Sequence, residues 1–455
     1  MIAILGGGIS GLAAAYQLQK EGVDFVLLEA DKKLGGKIQS ISKDGFHFEL
    51  GPNTVLLNNP EIMKMIEDLG LNEEIISPDP IAVKNRFVLK NGQIEAFPSS
   101  LPKAIKSRLF GWNTLLSIIK EPFKKSAAGN SDESLADFTR RRLGSQILND
   151  FIAPFVTGIY AGDPEKMSAT HSMGILKEAE QKHGSILKGM PKIMKVRKQI
   201  PDLQKLPKQK IFTFQKGLHR LIEVLKERVS QHIITEATVD KIIFNADNSY
   251  TIHFKKDGEN HQLESNHLIS ALPANVLANL LKHRAPKLSH LLASLPYVGA
   301  ISLNLSCDSS EIDFNQKAFG LLSRKEEGVP FLGVLFNSRF FPMHAPKGKE
   351  LITVICGGYR QAELIHKSDE EIHQIVDNSL KTVLGIREKT KLLYLQKWKN
   401  GIPQYELGHA AIVNAIDEFE SDLQSFTIIG NFKDGISVSD CIAKGINKVK
   451  TICQK

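Results

Sequence analysis

Short apolar runs alternate along this chain with stretches of helical spacing. Ile2-Ala3-Ile4-Leu5 reads as a buried strand, Leu12 to Leu18 as a helix, and Phe25-Val26-Leu27-Leu28 as a second strand closed by Glu29. Asn85 to Phe97 reads as a hairpin that turns at Lys90-Asn91-Gly92. Leu109, Trp112, Leu116, Ile119 and Phe123 recur at spacings of three and four. They form one apolar stripe, with Lys106, Asn113, Lys120 and Lys124 away from it. Further on, the pattern predicts a helix over Leu221 to Val229 and strands at Ile242 to Ala246, Tyr250 to Phe254 and His267 to Ser270. Beyond Ala274, strands are predicted at Ala300 to Leu305, Phe331 to Phe336 and Leu351 to Ile355. Helices are predicted near Val276 to Leu281 and over Asp369 to Leu384. Phe426-Thr427-Ile428-Ile429 reads as a last strand, running through Gly430 into a last helix.

Length and composition change this picture little. The chain has 455 residues, enough for two or three domains, and its 42% apolar content is ordinary for a globular protein. No signal peptide is expected, because no basic segment precedes the first apolar run. The uncharged stretch Leu288 to Cys307 contains His290, Pro296 and several serines, so it reads as helix, turn and strand rather than a membrane span. Cys307, Cys356, Cys441 and Cys453 are scattered, which argues against a disulfide framework or a metal site and fits a cytoplasmic setting. The net charge of +8 is matched by one window, Lys188 to Lys216, with nine basic residues and one acid. Pro191, Pro201 and Pro207 make that window read as loop. A basic, amphipathic region fits peripheral contact with anionic lipid. No recognition-helix, zinc-finger or RNP pattern points to nucleic acid.

The chemistry begins at Gly6-Gly7-Gly8-Ile9-Ser10-Gly11. Strand, glycine turn, helix, strand and acid follow in the order of a dinucleotide fingerprint. Gly6 suits the tight turn, Gly8 a close approach to pyrophosphate, and Gly11 close helix packing. Glu29 stands where a carboxylate meets ribose hydroxyls. Leu34-Gly35-Gly36-Lys37 and Glu49-Leu50-Gly51-Pro52-Asn53-Thr54 follow.

Fingerprint, L-G-G and E-L-G-P together resemble the flavin-containing amine oxidase superfamily. Pro154 to Pro164, Glu180 to Met190 and Trp398-Lys399-Asn400-Gly401-Ile402-Pro403-Gln404-Tyr405-Glu406-Leu407-Gly408-His409 are similar to its protoporphyrinogen oxidase branch. The resemblance implies an α/β fold with a Rossmann-type FAD-binding domain built from discontinuous segments (1–84, 205–275 and 403–455). It further implies a mixed-sheet substrate domain (85–98 and 276–402) and a helical, basic, membrane-facing subdomain (99–204). It implies non-covalent FAD contacted by Gly36, Lys37, Gly51, Pro52, Asn53, Thr54, Val239, Trp398, Ile436, Ser437 and Val438. Leu322, Leu332 and Ile355 would form an apolar slot, Arg86 would fork onto a substrate carboxylate, and the Gly162 carbonyl would face the reacting ring. The implied reaction is oxidation of a porphyrinogen, protoporphyrinogen IX, with coproporphyrinogen III as the alternative substrate and oxygen or another electron acceptor restoring FAD. Oligomeric state is left open, a homodimer included. An amine oxidase, a carotenoid desaturase or a non-catalytic flavin- or tetrapyrrole-binding scaffold are the other readings of the same fold.

Overall fold

The computed structural model describes residues 1–98, 107, 109–126, 132–204, 210–433 and 435–454. Lys106, Asp434 and the 205–209 part of the basic window, Pro207 included, lie outside the described residues. A parallel sheet organises the fold around the fingerprint. Among the described residues its strand order is Ile233–Ile234, Phe25–Leu28, Ile2–Leu5, His267–Ser270, Phe426–Ile428. Three distant parts of the chain therefore build one sheet. Its near-continuous apolar strands are what burial on both faces requires. One face carries the helices Ile9–Lys20, His219–Val229 and Val438–Cys453. The other packs on Ala274–Leu281, Pro286–Ser294 and His409–Asp422.

A small antiparallel sheet, Thr238–Phe244, Tyr250–Lys256 and Glu259–Ser265, stands beside it. Its third strand is mostly polar and exposed, so hydrophobic patterning does not reveal it. The uncharged stretch resolves as helix Pro286–Ser294 and strand Tyr297–Asp308, as its composition predicts.

The second large sheet has the order Lys391–Pro403, Tyr297–Asp308, Lys349–Gly357, Gly333–Leu335, Gly320–Ser323, Arg86–Lys90, Gln93–Ala96. The hairpin of Arg86 is thus its far edge, turning at Asn91 and Gly92, both at positive φ. Register separates the two faces of this sheet. Phe87, Leu321, Val334, Val354 and Leu303 share one face and pack on Ile372, Val376 and Leu380 of helix Asp369–Leu384. Ser368 and Glu371 start that helix with a reciprocal capping box. The opposite face meets the E-L-G-P segment. Asn304 Nδ2 donates to the Glu49 carbonyl at 3.0 Å and Trp398 Nε1 to the Leu50 carbonyl at 2.8 Å.

Helices between Trp112 and Gln204 form the third part. Here one expectation is corrected. Ile186–Gln199 is a helix that runs through Pro191 rather than a loop. Ser185 caps it, and the buried Glu121 carboxylate accepts the Ile186 and Leu187 amides, so the first turn is held before the proline costs one backbone bond. The stripe Trp112–Phe123 does not face inward as a whole. Leu109 is buried, but Trp112 and Phe123 are 77% and 84% exposed, with Leu116 and Ile119 exposed beside them. Thr114 and Leu115 make the inner contact instead.

Candidate active site

The fingerprint turn is built as a close-packed hinge with one open wall. A Cβ on Gly11 would overlap the Gly6 carbonyl, whereas a Cβ on Gly8 would meet nothing within 4 Å. No side chain caps helix Ile9–Lys20, so its first N–H groups are left for a ligand. Glu29 sits at the end of the second strand. Its carboxylate accepts the Gly7 amide at 2.5 Å and the Asp31 amide at 2.8 Å. It thus locks the turn, a role that spacing alone does not show. Gly35 donates to the Gly7 carbonyl at 2.9 Å, laying Gly36 against Gly8. Lys37 is half-buried next to this contact, and desolvation lowers its ammonium below the usual value. Gly51 packs so tightly on the Lys37 carbonyl that a Cβ would overlap it.

Other predicted nucleotide contacts arrive from a distance. Glu29 and Ala237 are joined backbone to backbone at 2.9 Å, which brings Val239 to the end of the second strand. The last helix crosses the first where a Cβ on Gly445 would lie 2.6 Å from the Ser10 carbonyl oxygen. That crossing places Ile436, Ser437 and Val438 at a second helix N-terminus near the first, with Ser437 as its cap. Pro52, Asn53 and Thr54 continue from the Gly51 contact. Asn53 Oδ1 accepts from Asn337 Nδ2 at 2.9 Å, tying this segment to the second sheet. An open wall at Gly8, uncapped amides and a second helix terminus fit a dinucleotide. These residues would hold FAD.

The slot residues converge on the sheet face that meets this nucleotide region. Leu322, Gly333, Ile355 and Ser302 stand in one cross-strand row. Trp398 and Arg86 share their face, because Trp398 pairs with Ala300 and Arg86 with Gly320, each two residues from the row. Leu332 donates its amide to the Ile355 carbonyl at 2.8 Å. Helix Ala153–Tyr160 crosses the row at Gly158, where a Cβ would lie 2.6 Å from Leu322 Cδ2. The helix ends with Ala161 in the left-handed region, φ 52°, and so delivers Gly162 beside the slot. Tyr359 donates to the Ala161 carbonyl at 2.9 Å. Arg86 is exposed and stacks over Phe319, 5.1 Å from the ring centre. The surrounding protein nevertheless desolvates its guanidinium enough to lower its basicity, which still leaves it charged near neutral pH.

Two residues important to this arrangement carry no prediction from sequence. Gln404 Nε2 donates to the Tyr160 carbonyl at 2.9 Å, and its Oε1 fills the space a Cβ on Gly162 would need. The Tyr405 hydroxyl donates to the Asn431 carbonyl at 2.5 Å and accepts the Gly435 amide at 3.0 Å, fixing the loop before the last helix. Both lie in the I-P-Q-Y segment, so its resemblance is the signal that points there. His409 stacks on Tyr405, with ring centres 4.5 Å apart. All four thiols are free, and no group of metal-ligating side chains occurs among the described residues.

A sequence model of flavin-containing amine oxidoreductases matches residues 9–446. The chain belongs to this family. Its members use a flavin, and here the cofactor is FAD. Curated relatives within it cover almost the whole chain. Protoporphyrinogen oxidase 2 of Arabidopsis thaliana is 29% identical, over 98% of this chain and 92% of its own length. Coproporphyrinogen III oxidase of Bacillus subtilis is 25% identical, over 98% and 96%. Among solved structures, one from Exiguobacterium sp. 255-15, assigned provisionally to protoporphyrinogen oxidase, matches with a TM-score of 0.83 and 23% identity. It covers 100% of this chain and 98% of its own.

Proposed function

We propose that this protein oxidises a porphyrinogen to a porphyrin in heme biosynthesis, with protoporphyrinogen IX as substrate. The observation that carries the reading is the convergence of an aliphatic slot, a glycine bend and an arginine on the sheet face that adjoins the nucleotide turn. Leu322, Leu332 and Ile355 exclude water and line the macrocycle, which flattens as it is oxidised. Arg86 forks onto a propionate. Gln404 keeps the Ala161–Gly162 bend in place, and the Gly162 peptide faces the reacting ring. FAD, bound non-covalently, supplies the chemistry by accepting hydride from a meso carbon at N5. No side chain of the slot acts as a base; positioning suffices, and pyrrole protons pass to water. Oxygen or another acceptor restores FAD after each of three such two-electron steps, which together remove the six electrons and six hydrogens that separate porphyrinogen from porphyrin.

A second reading, coproporphyrinogen III, is supported by the full-length match to the Bacillus subtilis relative. Anaerobic addition of each porphyrinogen tests both readings. The expected result is bleaching of the flavin absorbance, and a flavin that stays oxidised with both overturns the oxidase reading. Arg86→Ala is expected to raise KM about ten-fold or more, the loss of one charged hydrogen-bonded fork, with flavin content unchanged. An equal loss of FAD would make this arginine structural.

The three-part division at 1–84, 205–275 and 403–455, then 85–98 and 276–402, then 99–204 fits this division of labour. The exposed apolar stripe supports peripheral membrane contact by the third part.

A further inference from the structure

The helical segment that crosses the slot carries an aromatic side that its own packing leaves unused. Ile152 and Val156 are buried in the helical core, with Thr157 buried beside them. Phe151, Phe155 and Gly158, spaced by four and then three, share another side. Gly158 fixes where that side points, because a Cβ there would lie 2.6 Å from Leu322 Cδ2. At the rise of a helix, Phe155 stands about 4.5 Å and Phe151 about 10 Å back along the axis from this contact. The two phenyl rings are parallel to within 1°, with centres 6.1 Å apart.

The edge of the sheet supplies a third ring. Phe97 donates its amide to the Arg86 carbonyl at 2.8 Å, extending the ladder in which Phe87 pairs with Ala96. Residues opposite each other in a ladder share a face, so Phe97 lies on the side of Arg86 and the Leu322 row. Its ring meets Phe151 edge-on, with centres 5.3 Å apart and planes at 88°. Helix and sheet therefore touch at two ends of one span, Gly158 on Leu322 and Phe151 on Phe97. Between these contacts the surface stays open. Phe151 is 37% exposed, Gly158 is exposed, and Phe97, Phe155 and Leu322 are half-buried. Phenyl rings turned toward a sheet but left uncovered line a space that suits a flat apolar ligand.

We propose that Phe97, Phe151 and Phe155 form an aromatic wall of the slot, which holds the outer pyrrole rings of the tetrapyrrole next to the propionate that Arg86 takes. This rests on the porphyrinogen reading above. Parallel phenyl rings let one flat macrocycle lie along both. A porphyrinogen has saturated meso carbons and cannot keep its pyrroles in one plane, whereas a porphyrin is planar and conjugated throughout. The wall thereby grips the product more tightly than the substrate, while the aliphatic row of Leu322 and Ile355 serves both.

The test uses the flavin-loaded enzyme and its double variant Phe151→Leu, Phe155→Leu, which keeps the surface apolar and removes the rings. One readout is the Kd of protoporphyrin IX from fluorescence quenching, together with the displacement of its Soret band on binding; neither needs turnover. The other is KM for protoporphyrinogen IX. The expected result is a rise of about ten-fold in Kd for the porphyrin, the usual worth of two ring contacts, with a smaller Soret displacement. KM for the porphyrinogen is expected to change by about two-fold or less, because non-planar pyrroles gain little from stacking. Flavin content stays unchanged. Phe151→Leu alone, at an exposed position, carries the test if the double variant does not accumulate. Phe151→Tyr keeps the ring and is expected to bind porphyrin as the wild type does; a loss equal to that of Phe151→Leu overturns the wall. Wild-type affinity in the leucine variants, or equal weakening for porphyrin and porphyrinogen, overturns it too. Absence of turnover in the wild type sinks the oxidase reading instead, and the porphyrin-binding arm still decides the wall.

Discussion

At the scale of single residues, the most consequential side chain outside the slot is Glu49. It is buried, accepts Ser40 Oγ at 2.7 Å and the Leu218 amide at 2.8 Å, and so ties the E-L-G-P strand to the start of helix His219–Val229. Burial pushes its carboxyl from 4.5 up to about 8, against the opposing pull of those two hydrogen bonds. Between these values the folded chain keeps a proton that the unfolded chain has released, so stability falls as pH rises through this window. Glu49→Gln is expected to remove that slope, being less stable than wild type near pH 5 and overtaking it above pH 8. The relative change is on the order of 2 kcal/mol or more. Denaturant titrations of both proteins at pH 5, 7 and 9 measure it, and parallel curves would show that Glu49 is ionised throughout. Sequence places this residue on a strand that runs into the Gly51-Pro52 turn but gives no hint of its titration, which depends on the enclosure supplied by residues near 40 and 218.

At the scale of elements, the fingerprint helix and the last helix act as a pair. Their packing is set by Gly445 against the Ser10 carbonyl, with Ala13 also in contact. Gly445→Val is expected to separate the two helices and draw the second N-terminus away from the flavin. Copurifying FAD should fall by about ten-fold or more, with only part of the stability lost, because over-packing typically costs about 1–3 kcal/mol. Flavin absorbance per mole of purified protein reads this directly, and full loading would show that the crossing is not what orients the terminus. Elements with strong periodicity or diagnostic glycines were legible from the chain alone: the fingerprint, the Arg86 hairpin and helix Asp369–Leu384. Glu259–Ser265 was not, because a polar edge strand is fixed by its partner rather than by its own residues. Nor was the helix through Pro191, which depends on Glu121. That carboxylate is buried with Arg142, accepts Ser185 Oγ at 2.5 Å and the Ile186 amide at 2.9 Å, and is far from both in sequence.

At the scale of the whole molecule, two surfaces matter. Helix Ala153–Tyr160 crosses the row of Leu322 at Gly158, and elsewhere in the same helical part Trp112, Leu116, Ile119 and Phe123 face outward. Met194, Val196 and Ile200 are exposed on the adjoining basic segment, and Lys188 lies 5.5 Å over the Phe123 ring. Aromatic and aliphatic side chains interleaved with lysine are the arrangement that settles at a lipid interface, where rings enter the acyl boundary and ammonium groups stay with headgroup phosphates. No described helix is long and apolar enough to cross a bilayer, so any attachment made by these helices lies on the surface. The double variant Trp112→Ser, Phe123→Ser removes the two most exposed rings and touches neither slot nor nucleotide turn. It is expected to weaken flotation with vesicles containing phosphatidylserine by about ten-fold or more, the apolar area of two buried rings, while flavin content and turnover of porphyrinogen in detergent hold. Raising salt should release the wild type only in part, because burial of apolar surface is not screened while the lysine contribution is. Wild-type protein that stays with the aqueous fraction at low salt, or a double variant that floats as well, would assign the stripe to a protein partner instead.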